Sequence, residues 1–422
     1  MAAPQPGGPL ERLVAPWPLL VGVAASFLAC CGSGAWYARH NVYDNFARFH
    51  PAISPELLHY PSASQVLALA RARLPRDKVA VIVGGNSVLH GVGQRAECLW
   101  TRALQARLGD DYRVLNLAMR GGLAGEFGGA VAEAFSREHP RVIFVTLTGY
   151  GFGGYPDGGL YQYFYWDAYY KGLLLPHPPR EQFLRELATL PPPDAQTGPW
   201  RRLRMGPDKL AELKRQARLN SYCGFNDLWN ALAYSRLPTV WSAAVADHPF
   251  RARRHFPDPD TGPAVPFESR YLLAHAPVVA CRIRTWLDVW SRNLACRAPA
   301  GPAGTEVDVE HSEMVRQLRA CFPGPCRPRT LILVAHENPY YLSRLPPADQ
   351  EAVNRLVGDQ VRAAEGAGFA ALGVGRDYTV EDCYDGGGHY TEQGGARLAG
   401  EVAPKVRDMA RRLGYLGTGG AP

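Results

Sequence analysis

The stretch Val81-Ile82-Val83-Gly84-Gly85-Asn86-Ser87-Val88-Leu89-His90-Gly91 reads as a strand that stops abruptly. Five or so apolar residues run up to a glycine pair, and a small polar pair follows, with Gly91 four residues beyond Ser87. Unbroken apolar runs suit strands covered on both faces, as in a parallel sheet. Taken alone, Gly-Asn-Ser at a strand end is a turn signal. A GGNSVLHGVG phosphate loop is excluded because no Gly-Lys-Ser/Thr follows.

Outward from that stretch, strands and helices alternate. The pattern predicts strands over Lys78–Gly84, Tyr112–Ala118, Val142–Thr148, Thr330–Ala335 and Phe369–Val374. Helices are expected over Arg95–Leu108, Ala124–Glu138, Ala348–Gly366 and Glu392–Leu413. A short helix near Gln65–Arg73 precedes them, and helix-like stretches at Pro207–Leu219 and Leu273–Leu294 lie between the third and fourth strands. The expected class is α/β, a parallel five-stranded sheet with helices between the strands and a large helical insertion. The expected organisation is a membrane anchor or signal segment at 1–38, a linker at 39–78 and a first α/β part at 79–149. The aromatic-rich insertion at 150–328, a second α/β part at 329–415 and a tail at 416–422 complete it.

Composition limits the partners. The chain has 422 residues and a net charge of +7 without a dense Lys/Arg stripe, so no nucleic-acid partner is expected. Residues Leu13–Ala38 are apolar or small and long enough to span a bilayer, with Trp17, Trp36 and Tyr37 near the ends. An uncleaved anchor is the first reading. A cleaved signal is the second, because Ser33-Gly34-Ala35 offers small residues for cleavage. Cys30 and Cys31 would suit lipid attachment, but Phe27-Leu28-Ala29 fits that pattern poorly. Each of these exports the body of the protein. Of nine cysteines, seven lie beyond the apolar segment, and Cys321 and Cys326 enclose a Phe-Pro-Gly-Pro loop in which a local disulfide is plausible. No Cys/His cluster has zinc spacing, so neither metal nor cofactor is expected.

A serine hydroxyl needs a base to take its proton and donors to hold the oxyanion formed on attack. In a parallel sheet, ligands collect beyond the C-terminal strand ends. Ser87 follows the first strand, and His389, in Asp382-Cys383-Tyr384-Asp385-Gly386-Gly387-Gly388-His389-Tyr390-Thr391, follows the last. Both belong to one sheet edge. Thr391 is placed to cap the helix starting at Glu392. His90, beside Ser87, is expected to be structural.

These pieces resemble the SGNH, or GDSL-type, hydrolase superfamily. VGGNSVLHG looks like its first block, VLNLAMRGG its second, VIFVTLTGYG occupies the third, and DGGGHYTEQGGARLA looks like the last, with Gly394 in the usual place after the histidine. The resemblance covers about 79–150 and 330–413. It implies a flavodoxin-like three-layer sandwich, Ser87 as nucleophile, His389 as base, and the backbone N–H groups of Ser87 and Gly121 in the oxyanion hole. The third block normally ends in Gly-x-Asn-Asp, but here Gly149-Tyr150-Gly151-Phe152 has no Asn. Asn338, in HENPYY, is the candidate replacement. The family's acid sits three residues before the histidine, which is Gly386 here. Asp385 is the nearest carboxylate, Asp382 is the fallback, and a dyad without acid stays open.

The implied function is a serine esterase or O-acyltransferase acting on an O-acyl ester of an exported or cell-surface glycan. The alternative is a non-catalytic member that binds glycan or scaffolds an envelope complex. In the insertion, Tyr155, Tyr161, Tyr163, Phe164, Tyr165, Trp166, Tyr169 and Tyr170 are expected either to pack a lid helix or to form a stacking platform. Asn220, Ser221, Tyr222, Phe225, Asn226 and Asp227 are candidate cleft residues beside it.

Overall fold

The computed structural model describes residues 16–40, 46–48, 62–119, 124–125, 127–148, 159–189, 207–224, 227–228, 313–343, 345–384 and 388–416. Expectations at Leu273–Leu294, and for Tyr155, Phe225 and Asn226, lie outside them, as does the structure of Gly121 and Asp385.

In chain order, α1 is Pro16–Tyr37, α2 Ala63–Arg73, β1 Val79–Val83, α3 Ser87–His90, α4 Trp100–Leu108, β2 Tyr112–Asn116, α5 Phe127–Ser136 and β3 Val142–Thr148. Then come α6 Gly159–Tyr170, α7 Pro178–Thr189, α8 Pro207–Cys223 and α9 Glu313–Cys321. The remaining elements are β4 Thr330–Ala335, α10 Pro339–Leu342, α11 Pro347–Gly366, β5 Ala370–Val374 and α12 Glu392–Arg412. The five strands form one parallel sheet in the order β2-β1-β3-β4-β5. Parallel neighbours need crossover connections, and helices supply them here.

Strand side chains alternate between two apolar clusters because successive residues point to opposite faces. Ala80, Ile82, Phe144, Ile332 and Val334 join α2, α5, α6, α9 and α11 in one cluster. Val79, Val81, Val83, Ile143, Val145 and Leu333 join α4 and α12 in the other. Each fully buried Val, Ile or Leu contributes about 1.5–3 kcal/mol relative to exposure. That both alternating sets are buried explains why the strands read as unbroken apolar runs.

The order also places the site. The chain enters the sheet at β1, steps outward to β2, then crosses back over β1 to β3. A crevice opens at the C-terminal end of such a reversal, between β1 and β3. The residue that leaves β1 at that point is followed by the turn α3.

The insertion helices dock through buried charge. Arg180 of α7 pairs with Glu133 of α5 at 2.8 Å, and the Leu175 N–H donates to the same carboxylate at 2.5 Å. Lys171 lies 3.0 Å from Asp167 and 3.6 Å from Asp227, while the Ala63 N–H donates to Asp167. Burial raises the Glu133 and Asp227 carboxyls above their ordinary range, opposed by Arg180 and Lys171 respectively. Phe164, Tyr165 and Trp166 are buried, so packing accounts for them, whereas Tyr169 is partly exposed. Asp227 is held in the ion cluster and Tyr222 points to the surface, so neither lines a cleft with the other.

Two local expectations are corrected. Helix 95–108 is a 3-10 turn, Ala96–Cys98, followed by α4. Cys321 and Cys326 are both free thiols. The Cys321 side chain packs toward Gly125, where an added Cβ would lie 2.6 Å from Cys321 Cβ, and Cys326 sits in the 3-10 turn Gly324–Arg329. Burial pushes the Cys326 thiol up to about 11.

Candidate active site

β1 hands over to Ser87 through two glycines with different constraints. A Cβ on Gly84 would lie 2.7 Å from the Phe144 ring and 2.8 Å from the Gly128 Cα, so the strand end and α5 touch backbone to backbone. Gly85 has φ +113°, a conformation that side chains disfavour. Asn86 then caps the single turn α3, its Oδ1 accepting the Val88 N–H at 3.0 Å. Ser87 is the first residue of that turn and is half-buried.

The far end of the turn is clamped by its carbonyls. Arg48, buried although remote in sequence, donates to the carbonyls of His90 (3.3 Å), Gly91 (2.5 Å) and Gln94 (2.8 Å). The Trp100 indole donates to the Leu89 carbonyl at 2.7 Å, and the buried Asn116 amide donates there too at 3.2 Å. The orphan carbonyls that end any helix are thereby satisfied. His90 is buried, in keeping with a structural role.

His389 arrives by a different route. β5 is the far edge strand, but α12 packs back against α4 on the same face of the sheet. The loops preceding these two helices therefore meet. The His389 loop folds as a hairpin in which the Tyr384 N–H donates to the His389 carbonyl at 2.8 Å and the Thr391 N–H to the Asp382 carbonyl at 2.9 Å. Cys383 and Tyr390 form an antiparallel bridge between these bonds. Burial raises the Tyr390 phenol above its ordinary value. As expected, Thr391 caps α12, accepting the Gly394 N–H at 3.2 Å. Gly394 packs so tightly that an added Cβ would lie 2.1 Å from the Asp382 carbonyl oxygen.

Two links join the halves. Gln94, fully buried, donates to the carbonyls of Tyr390 (3.3 Å) and Thr391 (3.4 Å) and accepts the Trp100 N–H at 2.8 Å. Arg95 pairs with Glu392 at 2.6 Å, and that bond holds the Glu392 carboxyl below its ordinary range. With both in place, Ser87 Oγ and His389 Nε2 stand 2.8 Å apart, across a sequence separation of 302 residues. That is hydrogen-bond distance for a hydroxyl and an imidazole.

The other site candidates are distributed differently. Asp382 is buried and committed elsewhere: it accepts from the Thr379 N–H (2.8 Å), from Gln393 (3.2 Å) and from Arg397. It therefore braces the start of α12 against the preceding 3-10 turn, Val380–Asp382. Asn338 follows β4 and caps α10, its Oδ1 accepting the Tyr340 N–H at 2.9 Å. Among the described residues, no three His, Cys, Asp or Glu side chains converge to hold a metal ion.

Arg48, Gln94 and Asn116 were not foreseen. Each acts through backbone carbonyls, which leaves no residue-type pattern. The one available signal was Gln94 directly following the Gly91-Val92-Gly93 loop after Ser87. No protein-family model matches the chain, and no curated protein matches it.

Proposed function

We propose that the protein is a serine esterase or O-acyltransferase of the SGNH type, with Ser87 as nucleophile and His389 as base. The observation that carries this reading is the 2.8 Å contact between Ser87 Oγ and His389 Nε2, with Ser87 following the strand at which the sheet order reverses. Ser87 Oγ attacks the ester carbonyl while its proton passes to His389 Nε2. The tetrahedral oxyanion is held by the N–H of Ser87, which a first helical residue leaves without an intrahelical acceptor, and by that of Gly121. The leaving alcohol takes the proton from His389. Water or a sugar hydroxyl then attacks the acyl-enzyme, again with His389 as base. Asp385 is the carboxylate assigned to orient the ring, since Asp382 is engaged with Arg397.

The fold in this reading is a flavodoxin-like three-layer sandwich, in keeping with the two apolar clusters on alternate strand faces. α1 is a retained anchor and the body lies on the exported side. Of the described residues, α1 is the helix long and apolar enough to cross a membrane, and its 22 residues span about 33 Å. An exported O-acyl glycan is the substrate class, by likeness to the superfamily.

A non-catalytic glycan-binding or scaffold role is favoured by one observation, the commitment of Asp382 away from His389. Hydrolysis of p-nitrophenyl acetate by the full-length protein in nanodiscs separates the two. Turnover by wild type that vanishes in Ser87→Ala and His389→Gln supports catalysis. Equal background rates in all three support the binding role.

A further inference from the structure

α8 ends against the apolar helix α1. A Cβ on Gly34 would lie 1.9 Å from the Gly224 carbonyl oxygen, and one on Gly224 would lie 2.9 Å from the Cys31 carbonyl. The two backbones are thus in direct contact. Gly34 stands three residues before the end of α1 at Tyr37, which is about 4.5 Å along the helix axis. Whatever touches Gly34 therefore sits at the level where the apolar helix emerges.

α8 has two distinct faces. On one, Ala217 is buried in the core and the Lys214 ammonium lies 3.9 Å over the Trp166 ring. On the other, Arg215, Arg218, Leu219 and Tyr222 are exposed, spaced so that they share one side of the helix. Tyr222 is 76% exposed and Leu219 55%. Outside α1, the large apolar side chains exposed among the described residues are these two and Tyr169. An exposed Leu-Tyr pair beside two arginines, continuous with a membrane-crossing helix, has the chemistry of the bilayer interface. The ring and leucine enter the acyl boundary while guanidinium groups meet lipid phosphates.

We propose that the Arg215–Tyr222 face of α8 lies on the membrane interface and, with α1, holds the catalytic body in one fixed orientation on the bilayer. This rests on the reading of α1 as a retained anchor.

The test is photo-crosslinking of the full-length protein in phosphatidylethanolamine–phosphatidylglycerol proteoliposomes. p-Benzoylphenylalanine replaces, one at a time, Leu28 in α1, Leu219, Tyr222, and Glu351 on the exposed side of α11. Lipid adducts at Leu28, Leu219 and Tyr222, roughly tenfold above those at Glu351, are the expected result. Adducts at Leu28 without adducts at Leu219 or Tyr222 would overturn the interface and leave the anchor standing. No lipid adduct at Leu28 would overturn the anchor and the interface with it. Protein–protein adducts in place of lipid at Tyr222 would likewise overturn the proposal.

Discussion

Gln94 and Tyr390 lie 296 residues apart and are joined by a 3.3 Å hydrogen bond from the Gln94 amide to the Tyr390 carbonyl. Tyr390 directly follows His389, and Gln94 closes the loop that begins at Ser87, so this buried amide is a positioning residue for both. Gln94→Leu removes donors from two carbonyls and an acceptor from the Trp100 N–H. A stability loss of about 1–3 kcal/mol is expected. The diagnostic readout is ester-hydrolysis kcat per folded molecule, which should fall while KM changes little. Gln94→Glu keeps the acceptor for the Trp100 N–H but sets a carboxylate oxygen against both carbonyls, so it should be no more stable than Gln94→Leu and should lose kcat as well. Unchanged kcat in folded Gln94→Leu would reduce the residue to a structural role.

Gly394→Ala tests the close approach that seats the His389 hairpin. The new methyl would meet the Asp382 carbonyl oxygen, and backbone cannot yield cheaply. Overpacking of this kind costs about 1–3 kcal/mol. A lowered melting temperature should appear together with reduced turnover, because the shift is transmitted to His389. Full stability in this variant would contradict the packing described.

Arg180→Met addresses how the insertion is held. It leaves Glu133 buried without its cation, and breaking such a pair costs about 3–5 kcal/mol. Denaturant unfolding of the single variant should show that loss, and the double variant Arg180→Met/Glu133→Gln should regain much of it. Additive losses would show that the two residues do not interact.

The Arg95–Glu392 pair gives a pH signature. Because Arg95 holds the Glu392 carboxyl below its ordinary range, its stabilisation is present above the unfolded carboxylate pKa and is lost as pH falls through the folded one. Glu392→Gln should therefore melt slightly below wild type at neutral pH, with the gap closing in acid. A gap that persists or widens in acid would contradict the pairing.

The sheet was largely legible because its strands are buried on both faces. Val142–Thr148 and Thr330–Ala335 have the expected limits, and β1, β2 and β5 fall within theirs. Ser87 was legible because a small polar pair interrupts an apolar strand end, and His389 because a glycine run precedes it between the last strand and the last helix. The clamps around them were not. Arg48, Gln94 and Asn116 bind main-chain carbonyls, and any residue type can present a carbonyl. The docking of the insertion was hidden for a related reason. Glu133 sits in an apolar helix and Arg180 in a polar one, and helical spacing alone assigns charges such as these to solvent. The aromatic run on α6 was legible as packing for Phe164, Tyr165 and Trp166 because bulky rings at helical spacing fill a core.

The most direct test of Ser87 as an activated nucleophile is labelling by a serine-directed fluorophosphonate. Intact full-length wild type, in nanodiscs, should gain one adduct that peptide mass spectrometry places on Ser87. His389→Gln should label far more slowly while melting as wild type does. A folded wild type that gains no adduct, or one that carries it on a serine other than Ser87, would contradict the mechanism.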